Sequence, residues 1–205
     1  MSHFRLLTIL ILGSALSPMA ISQETGPELS KEPLSAEQVQ VYRALLKFLA
    51  QGADASLNIA NQTEAFDLVE SDDDLKSNSG CLKGIELENL KQVASTVHRL
   101  DARILMGKKM VLVDPEAQAV LVRKNDPSKT IKEGRKVDDA VDEASRTGLF
   151  TLSEVAFDKQ HQWAVLSFSF FCGRLCGSGA VVVLKKTGRS RRWKVTSREC
   201  VEWVS

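Results

Sequence analysis

LFTLSEVAFDKQHQWAVLSFSFFCGRLCGSGAVVVL, residues 149–184, decides the fold. From Trp163 to Phe171 every even position (Ala164, Leu166, Phe168, Phe170) is apolar. The odd positions mix Trp163, Val165 and Phe171 with Ser167 and Ser169. That period of two marks a strand with one face fully in a core. Upstream, Phe150, Leu152, Val155 and Phe157 form a second strand-like run, but its alternation shifts at Ser153-Glu154, a spacing that predicts a β-bulge. Asp158 to Gln162 is a turn, and Ala180–Leu184 and Trp193–Thr196 complete a meander. Eight of the twelve aromatic residues lie between Phe150 and Trp203, which places the sheet core here.

Outward from this meander, toward the N-terminus, the language is helical. Ser35 and Gln38 form a capping box, Leu34 and Val39 occupy the two positions of a hydrophobic staple, and Val39, Tyr42, Leu45, Leu46 and Leu49 share one helical face before Gly52. Leu57–Ala60 and Ala65–Val69 read as short strands. A second helix is expected over Glu86–His98, with Leu87, Leu90, Val93, Ala94 and Val97 inward. Met110–Val113 and Ala119–Val122, split by Asp114-Pro115, predict strand, turn, strand. Asn125–Gly134 is a polar loop, and Val137, Ala140, Val141 and Ala144 mark a short helix ending before Gly148. Helices first and consecutive strands last give an α+β fold, with N-terminal helices packed on a C-terminal antiparallel β-meander.

The chain has 205 residues, 43% hydrophobic and 26% charged. That size suits one ordinary domain, and the composition excludes collagen-like, disordered and multi-span membrane classes. Arg5 precedes the apolar run Leu6–Leu12, and Ala20-Ile21-Ser22 supplies small residues at a cleavage site before Gln23. This is the pattern of a secretory signal peptide, too interrupted by Gly13, Ser14, Ser17 and Pro18 to be an anchor helix. The organisation expected is a signal peptide over 1–22, a flexible leader over 23–33 and a single domain over 34–205. The processed protein should be soluble, secreted or periplasmic, with no integral span. From Gln23 to Val122 there are 16 acids against 10 bases, and from Arg123 onward 10 against 16, so a neutral processed chain is electrically split. The absence of a large net charge argues against nucleic acid as a partner.

Four cysteines follow the export signal: Cys81, Cys172, Cys176 and Cys200. An even count in an exported chain favours two disulfides, and the preferred pairing joins Cys172 to Cys176 across a Gly-rich turn and Cys81 to Cys200. The segment Cys172-Gly173-Arg174-Leu175-Cys176-Gly177-Ser178-Gly179, with Trp193-Lys194-Val195 and the final Trp203-Val204-Ser205, resembles the ending of a group of uncharacterised exported bacterial proteins. The resemblance covers the last third of the chain. It implies an exported bacterial origin and carries over no activity, cofactor or catalytic residue. Beside the structural disulfide stand three other readings of this loop. One is a metal site completed by His98 or His161, although C-x₃-C departs from the usual knuckle spacing. Another is a thiol–disulfide active site, although the redox motif is C-x-x-C opening a helix. The last is an anion-binding nest of Gly173, Gly177 and Gly179 beside Arg174.

Lys185, Lys186, Arg189, Arg191, Arg192 and Lys194 cluster around the hairpin turn at Gly188. They are either a solvated, aggregation-resistant tip or a contact for an anionic surface or acidic envelope or extracellular partner. Asp72-Asp73-Asp74 fails the EF-hand template, because Lys76 and Ser77 stand where a ligand and the turn glycine belong. Asn61-Gln62-Thr63 fits a glycosylation sequon. The chain contains no G-x-S-x-G, H-E-x-x-H, P-loop or dinucleotide fingerprint. His98, beside an apolar helical stripe, and His161, in a turn, read as boundary residues rather than general bases, and Glu86 and Glu88 as an ordinary acid pair. The expectation is therefore an exported domain that binds or supports something, with no cofactor, metal or catalytic residue assigned. The alternatives are thiol–disulfide or metal-dependent chemistry at the Cys172/Cys176 loop, or peripheral binding through the basic hairpin.

Overall fold

A computed structural model describes residues 26–52, 56–66, 82–197 and 202–204. Residues 1–22, the Asp72–Asp74 run, Cys81 and Cys200 lie outside the described residues, and with them the signal peptide and the second disulfide. The structure mixes helices with a curled, mixed sheet, an α+β arrangement. Ten strands are described: β1 (Glu28–Leu29), β2 (Leu57–Ala60), β3 (Thr96–Val97), β4 (Met110–Val113), β5 (Leu149–Leu152), β6 (Ala156–Phe157), β7 (Trp163–Gly173), β8 (Cys176–Thr187), β9 (Arg192–Val195) and β10 (Glu202–Val204). The main sheet runs β10-β8-β7-β5-β2-β4, with β6 added to β7 and β9 added to β8. β7, β8 and β9 are successive antiparallel neighbours, while β2 pairs in parallel with both β4 and β5.

Helix α1 (Ala36–Leu49) starts as its capping box dictates: the Ser35 side chain accepts from the Gln38 amide at 3.1 Å and Gln38 Oε1 accepts from the Ser35 amide at 2.9 Å. Val39, Val41, Tyr42, Leu45 and Leu46 are buried on it, and they share a core with Ile59, Leu166, Leu184 and Trp193. Each such side chain contributes roughly 1.5–3 kcal/mol by leaving water. Alternation along β2 sends its other face elsewhere. Ala60 packs with Leu149 and with Val122 of a middle helix, and Asn58 Nδ2 donates to the Arg146 and Gly148 carbonyls. Helices therefore cover both faces of the sheet around β2.

Several expectations change. Ala119–Val122 is not a strand but part of helix α3 (Pro115–Lys124): the Asp114 side chain accepts from the Ala117 amide at 2.8 Å and Pro115 occupies the first turn, where its missing N–H costs nothing. The Asn125–Gly134 loop contains a one-turn helix α4 (Pro127–Thr130), capped by Asp126. The helix at Val137 extends to Thr147 as α5. The second helix shrinks to α2 (Leu90–Ser95). Asn89 before it is left-handed, with φ 55°, and the preceding backbone is claimed by the sheet: Leu87 bridges Asp158, and the Glu88 amide donates to the Phe157 carbonyl at 2.8 Å. Beyond it, Thr96–Val97 is extended and pairs in parallel with Glu28–Leu29, so this piece of the leader is a strand. Ala65 and Phe66 are not in a strand; residues 67–69 of that run lie outside the described residues.

The shift at Ser153-Glu154 is real and consequential. Leu152 pairs with Phe168 and Ala156 with Val165, so four residues on one strand span three on its partner. An extra residue re-aims side chains locally. Glu154, within this irregularity, is only 2% exposed.

Candidate functional site

Burying a carboxylate is costly unless its oxygens find donors. Glu154 Oε1 finds two: the Thr63 hydroxyl, through a short hydrogen bond, and His98 Nδ1 at 2.9 Å. Oε2 has a single long contact among the described residues, 3.5 Å from Gln38 Nε2. That is beyond a good hydrogen-bond length, so one oxygen of a buried carboxylate is left with unused acceptor capacity. Thr63 is locked from the other side, because its Oγ1 accepts from the His98 amide at 2.7 Å. The bulge, the loop after β2 and the end of β3 thus converge on one carboxylate.

A cleft of about 230 Å³ opens over this cluster. Ser35 and Gln38 come from the start of α1; Glu88, Asn89, Gln92 and Val93 from the segment entering and forming α2; Thr96 and His98 from β3 and its exit. Val155, Phe157 and His161 close the remaining side. His98 is 14% exposed at its side chain, and with Nδ1 engaged by Glu154 its Nε2 is the nitrogen left for a ligand. Beneath, the Tyr42 hydroxyl donates to the Ser153 carbonyl at 2.9 Å. Full burial pushes the Tyr42 phenol well above its ordinary value, and the Glu154 charge adds to the shift, so this group stays a neutral donor.

The rim is charged. His161 is left-handed, with φ 49°, and its ring stacks on Phe157 at 4.9 Å with planes 8° apart. Its Nδ1 lies 2.6 Å from Glu37 Oε2, while Lys186 forms a close ion pair with Glu37 Oε1. Partial burial opposes ionisation of Glu37, but the hydrogen bonds and charges of Lys186 and His161 outweigh it and hold the carboxyl below its ordinary value. This bridge ties the hairpin and the turn before β7 to the helix start. Asp158, the other buried acid near the rim, is fully used: its Oδ1 accepts from the Gln162 and Trp163 amides, each at 2.7 Å.

The residues that stood out in the sequence are distributed differently. Cys172 and Cys176 are bonded, with Cα atoms 5.1 Å apart, and Cys172 is 1% exposed. The nest reading is corrected by a carboxylate of the chain itself. Asp126 Oδ2 accepts from the Arg174 amide at 2.9 Å, and its Oδ1 accepts from the Ser128 amide and hydroxyl. A Cβ on Gly173 would lie 2.9 Å from Pro127 Cδ, so helix α4 closes that side of the loop. A metal site joining this loop to His161 is ruled out by placement. His161 precedes β7 and Cys172 ends it, a separation of about 30 Å along the strand. Among the described residues no group of three or more His, Cys, Asp or Glu is placed to hold a metal ion.

Of the basic hairpin, Lys185 lies over the Trp163 ring at 4.4 Å and Lys186 over Trp193 at 4.9 Å, besides its pair with Glu37. Arg189 is exposed at the turn, and Arg191, Arg192 and Lys194 face a different neighbourhood, shared with α1. Glu88 reaches the cleft and Glu86 does not. Thr63 of the sequon is buried against Glu154 and His98. Sequence reading missed Glu154 and Thr63 and took His98 and His161 singly. The available signal was a carboxylate inside an apolar run, at the very shift in alternation. No protein-family model matches the chain, and no curated protein or solved structure matches it.

Proposed function

We propose that the chain is an exported, single-unit binding domain whose cleft takes a small polar ligand bearing an N–H or O–H donor. One observation carries the reading: Glu154, buried and anchored through Oε1, keeps an under-used Oε2 in a cleft of about 230 Å³. A ligand donor completes that carboxylate, His98 supplies a second polar contact, and Val93, Val155 and Phe157 offer an apolar wall, the usual make-up of a small-molecule site. N-terminal helices set on a C-terminal meander make a rigid frame for it, because α1 contributes both core and cleft. Export to the periplasm or medium of a bacterium is supported by the Arg5/Leu6–Leu12/Ala20–Ser22 pattern, by the bonded Cys172–Cys176 pair and by the resemblance of the chain's ending. Among the described residues no helix is long and apolar enough to cross a membrane.

The test is a ligand panel of amines, amino acids and monosaccharides, followed by amide chemical shifts. A ligand should move the resonances of His98, Phe157 and Gln92. At 100 times its Kd it should stabilise the protein by about 2.7 kcal/mol. Glu154→Gln, which keeps the shape, should lose that shift. A panel in which every shift maps away from the cleft, or in which Glu154→Gln binds as well as the parent, refutes the reading.

A further inference from the structure

We infer that a basic groove between α1 and β9, separate from the cleft, docks the protein on an anionic phospholipid surface. The groove holds about 780 Å³, and cations stand on both walls: Arg43 and Lys47 on α1, Arg191, Arg192 and Lys194 on the hairpin. All five are exposed, none makes an ion pair among the described residues, and no Asp or Glu lines the groove. This differs from the rest of the hairpin, where Lys186 is already neutralised by Glu37. A nearly balanced chain has therefore segregated unpaired positive charge onto one face, built from residues 140 or more positions apart in sequence. Two further features point to a ligand rather than to solvation alone. Phe48, on the α1 wall, is 50% exposed among the cations. Trp193 in the groove lining is 5% exposed, and its indole N–H is a buried donor with no acceptor among the described residues.

Phosphates answer this chemistry. They supply negative charge to cations on two walls and acceptor oxygens near a donor that lacks one. Phe48 can enter the boundary between headgroups and acyl chains, as apolar residues of peripheral proteins do. A protein partner would require fixed, directional contacts, and the groove offers instead long, flexible, unpaired side chains. Basic residues close to an anionic bilayer each strengthen adsorption by about fivefold, and the gain fades within a Debye length as salt rises.

The experiment is vesicle co-sedimentation of the protein recovered from the producing cell, with vesicles of equimolar phosphatidylglycerol and phosphatidylcholine against phosphatidylcholine alone. Binding should appear on the anionic vesicles at low salt and weaken as salt rises. Arg43→Ser, Lys47→Ser and Arg192→Ser together should lower partitioning by about 100-fold. A second triple variant, Lys124→Ser, Lys129→Ser and Lys132→Ser, makes the same change in net charge near the opposite end of the long strands and should stay within about twofold of the parent. Near-ultraviolet circular dichroism identical to the parent shows that each variant is folded. Equal losses in the two triple variants, equal binding to phosphatidylcholine, or no binding at low salt would overturn the assignment. An acidic protein partner would give the last of these. Glu154→Gln should bind vesicles like the parent, which keeps this result separate from the cleft.

Discussion

The Cys172–Gly179 turn and the Glu154 bulge lie along the same strand, β7, and they contrast in a useful way. The turn is conspicuous in sequence, with two cysteines and three glycines within eight residues. In the structure it is closed. Its cysteines are bonded, Asp126 occupies its free amide, and Pro127 abuts Gly173. The bulge is inconspicuous in sequence, one carboxylate in an apolar run, yet it holds the buried acid with spare acceptor capacity under a cleft. Unusual residue types mark where a chain is covalently tied or tightly turned. A ligand site is marked instead by a polar group whose burial its neighbours do not fully repay.

The first way to break this contrast is to remove each centre and compare the losses. Glu154→Ala leaves the Thr63 hydroxyl and His98 Nδ1 without their buried acceptor, and it should destabilise by about 3 kcal/mol in urea unfolding. Glu154→Gln, keeping an acceptor and the volume, should cost clearly less. If Glu154→Ala costs under about 0.5 kcal/mol, as surface substitutions do, the acid is not the organising group described here.

The paired replacement of Cys172 and Cys176 by Ala should come second, at about 2 kcal/mol. The closed loop is only four residues in separation, so the denatured chain regains little entropy when it is cut. The cleft should survive it, since the bonded pair and His161 occupy opposite ends of β7. Equal loss of cleft resonances in this variant and in Glu154→Ala would erase the distinction between a clamp and a site. Amide chemical shifts decide it.

How much of this was readable follows from the range of the interactions involved. α1, β2, β4, the β7–β8–β9 meander and the bulge depend on local periodicity, caps and turns, and all stand where the sequence placed them. The misreadings share a cause. Asp114-Pro115 was taken as a turn, but the same two residues make a helix start when a cap is needed, and Val122 then packs on Ala60. Leu87 and Val97 fit a helical stripe, but their backbones pair with Asp158 and Leu29. The cleft was the least legible part because it is non-local: Glu154 meets His98 across 56 residues and Thr63 across 91. Residue spacing carries no information about such pairs. The groove cations divide in the same way, the hairpin half being visible as a run of bases and the α1 half only in space.

The smallest effect sharpens the comparison at the cleft's rim, where pH acts on Glu37. Burial alone would raise its carboxyl, but Lys186 and His161 prevail and hold it below the ordinary value of 4.5. A carboxyl depressed in the folded state is ionised there while the unfolded chain still binds a proton. Its contribution to stability is therefore present above the unfolded value and disappears as pH falls through the folded one. The group is largely solvent-screened, so the pair with Lys186 should be worth under about 1 kcal/mol, the range of exposed ion pairs. Glu37→Gln should accordingly lower stability slightly at pH 7 and flatten the decline below pH 4.5, measured by urea midpoints across the acid range. Asp126, at the disulfide turn, is also depressed: burial raises it, and donors from Ser128 and the Arg174 amide outweigh that. Its acid titration should therefore loosen the turn while leaving His98 and Phe157 shifts in place, whereas Glu37 titration should move exactly those cleft resonances. If protonating Glu37 leaves His161 and Phe157 unmoved, the rim does not couple to the cleft, and the bridge from helix to hairpin is only a surface contact.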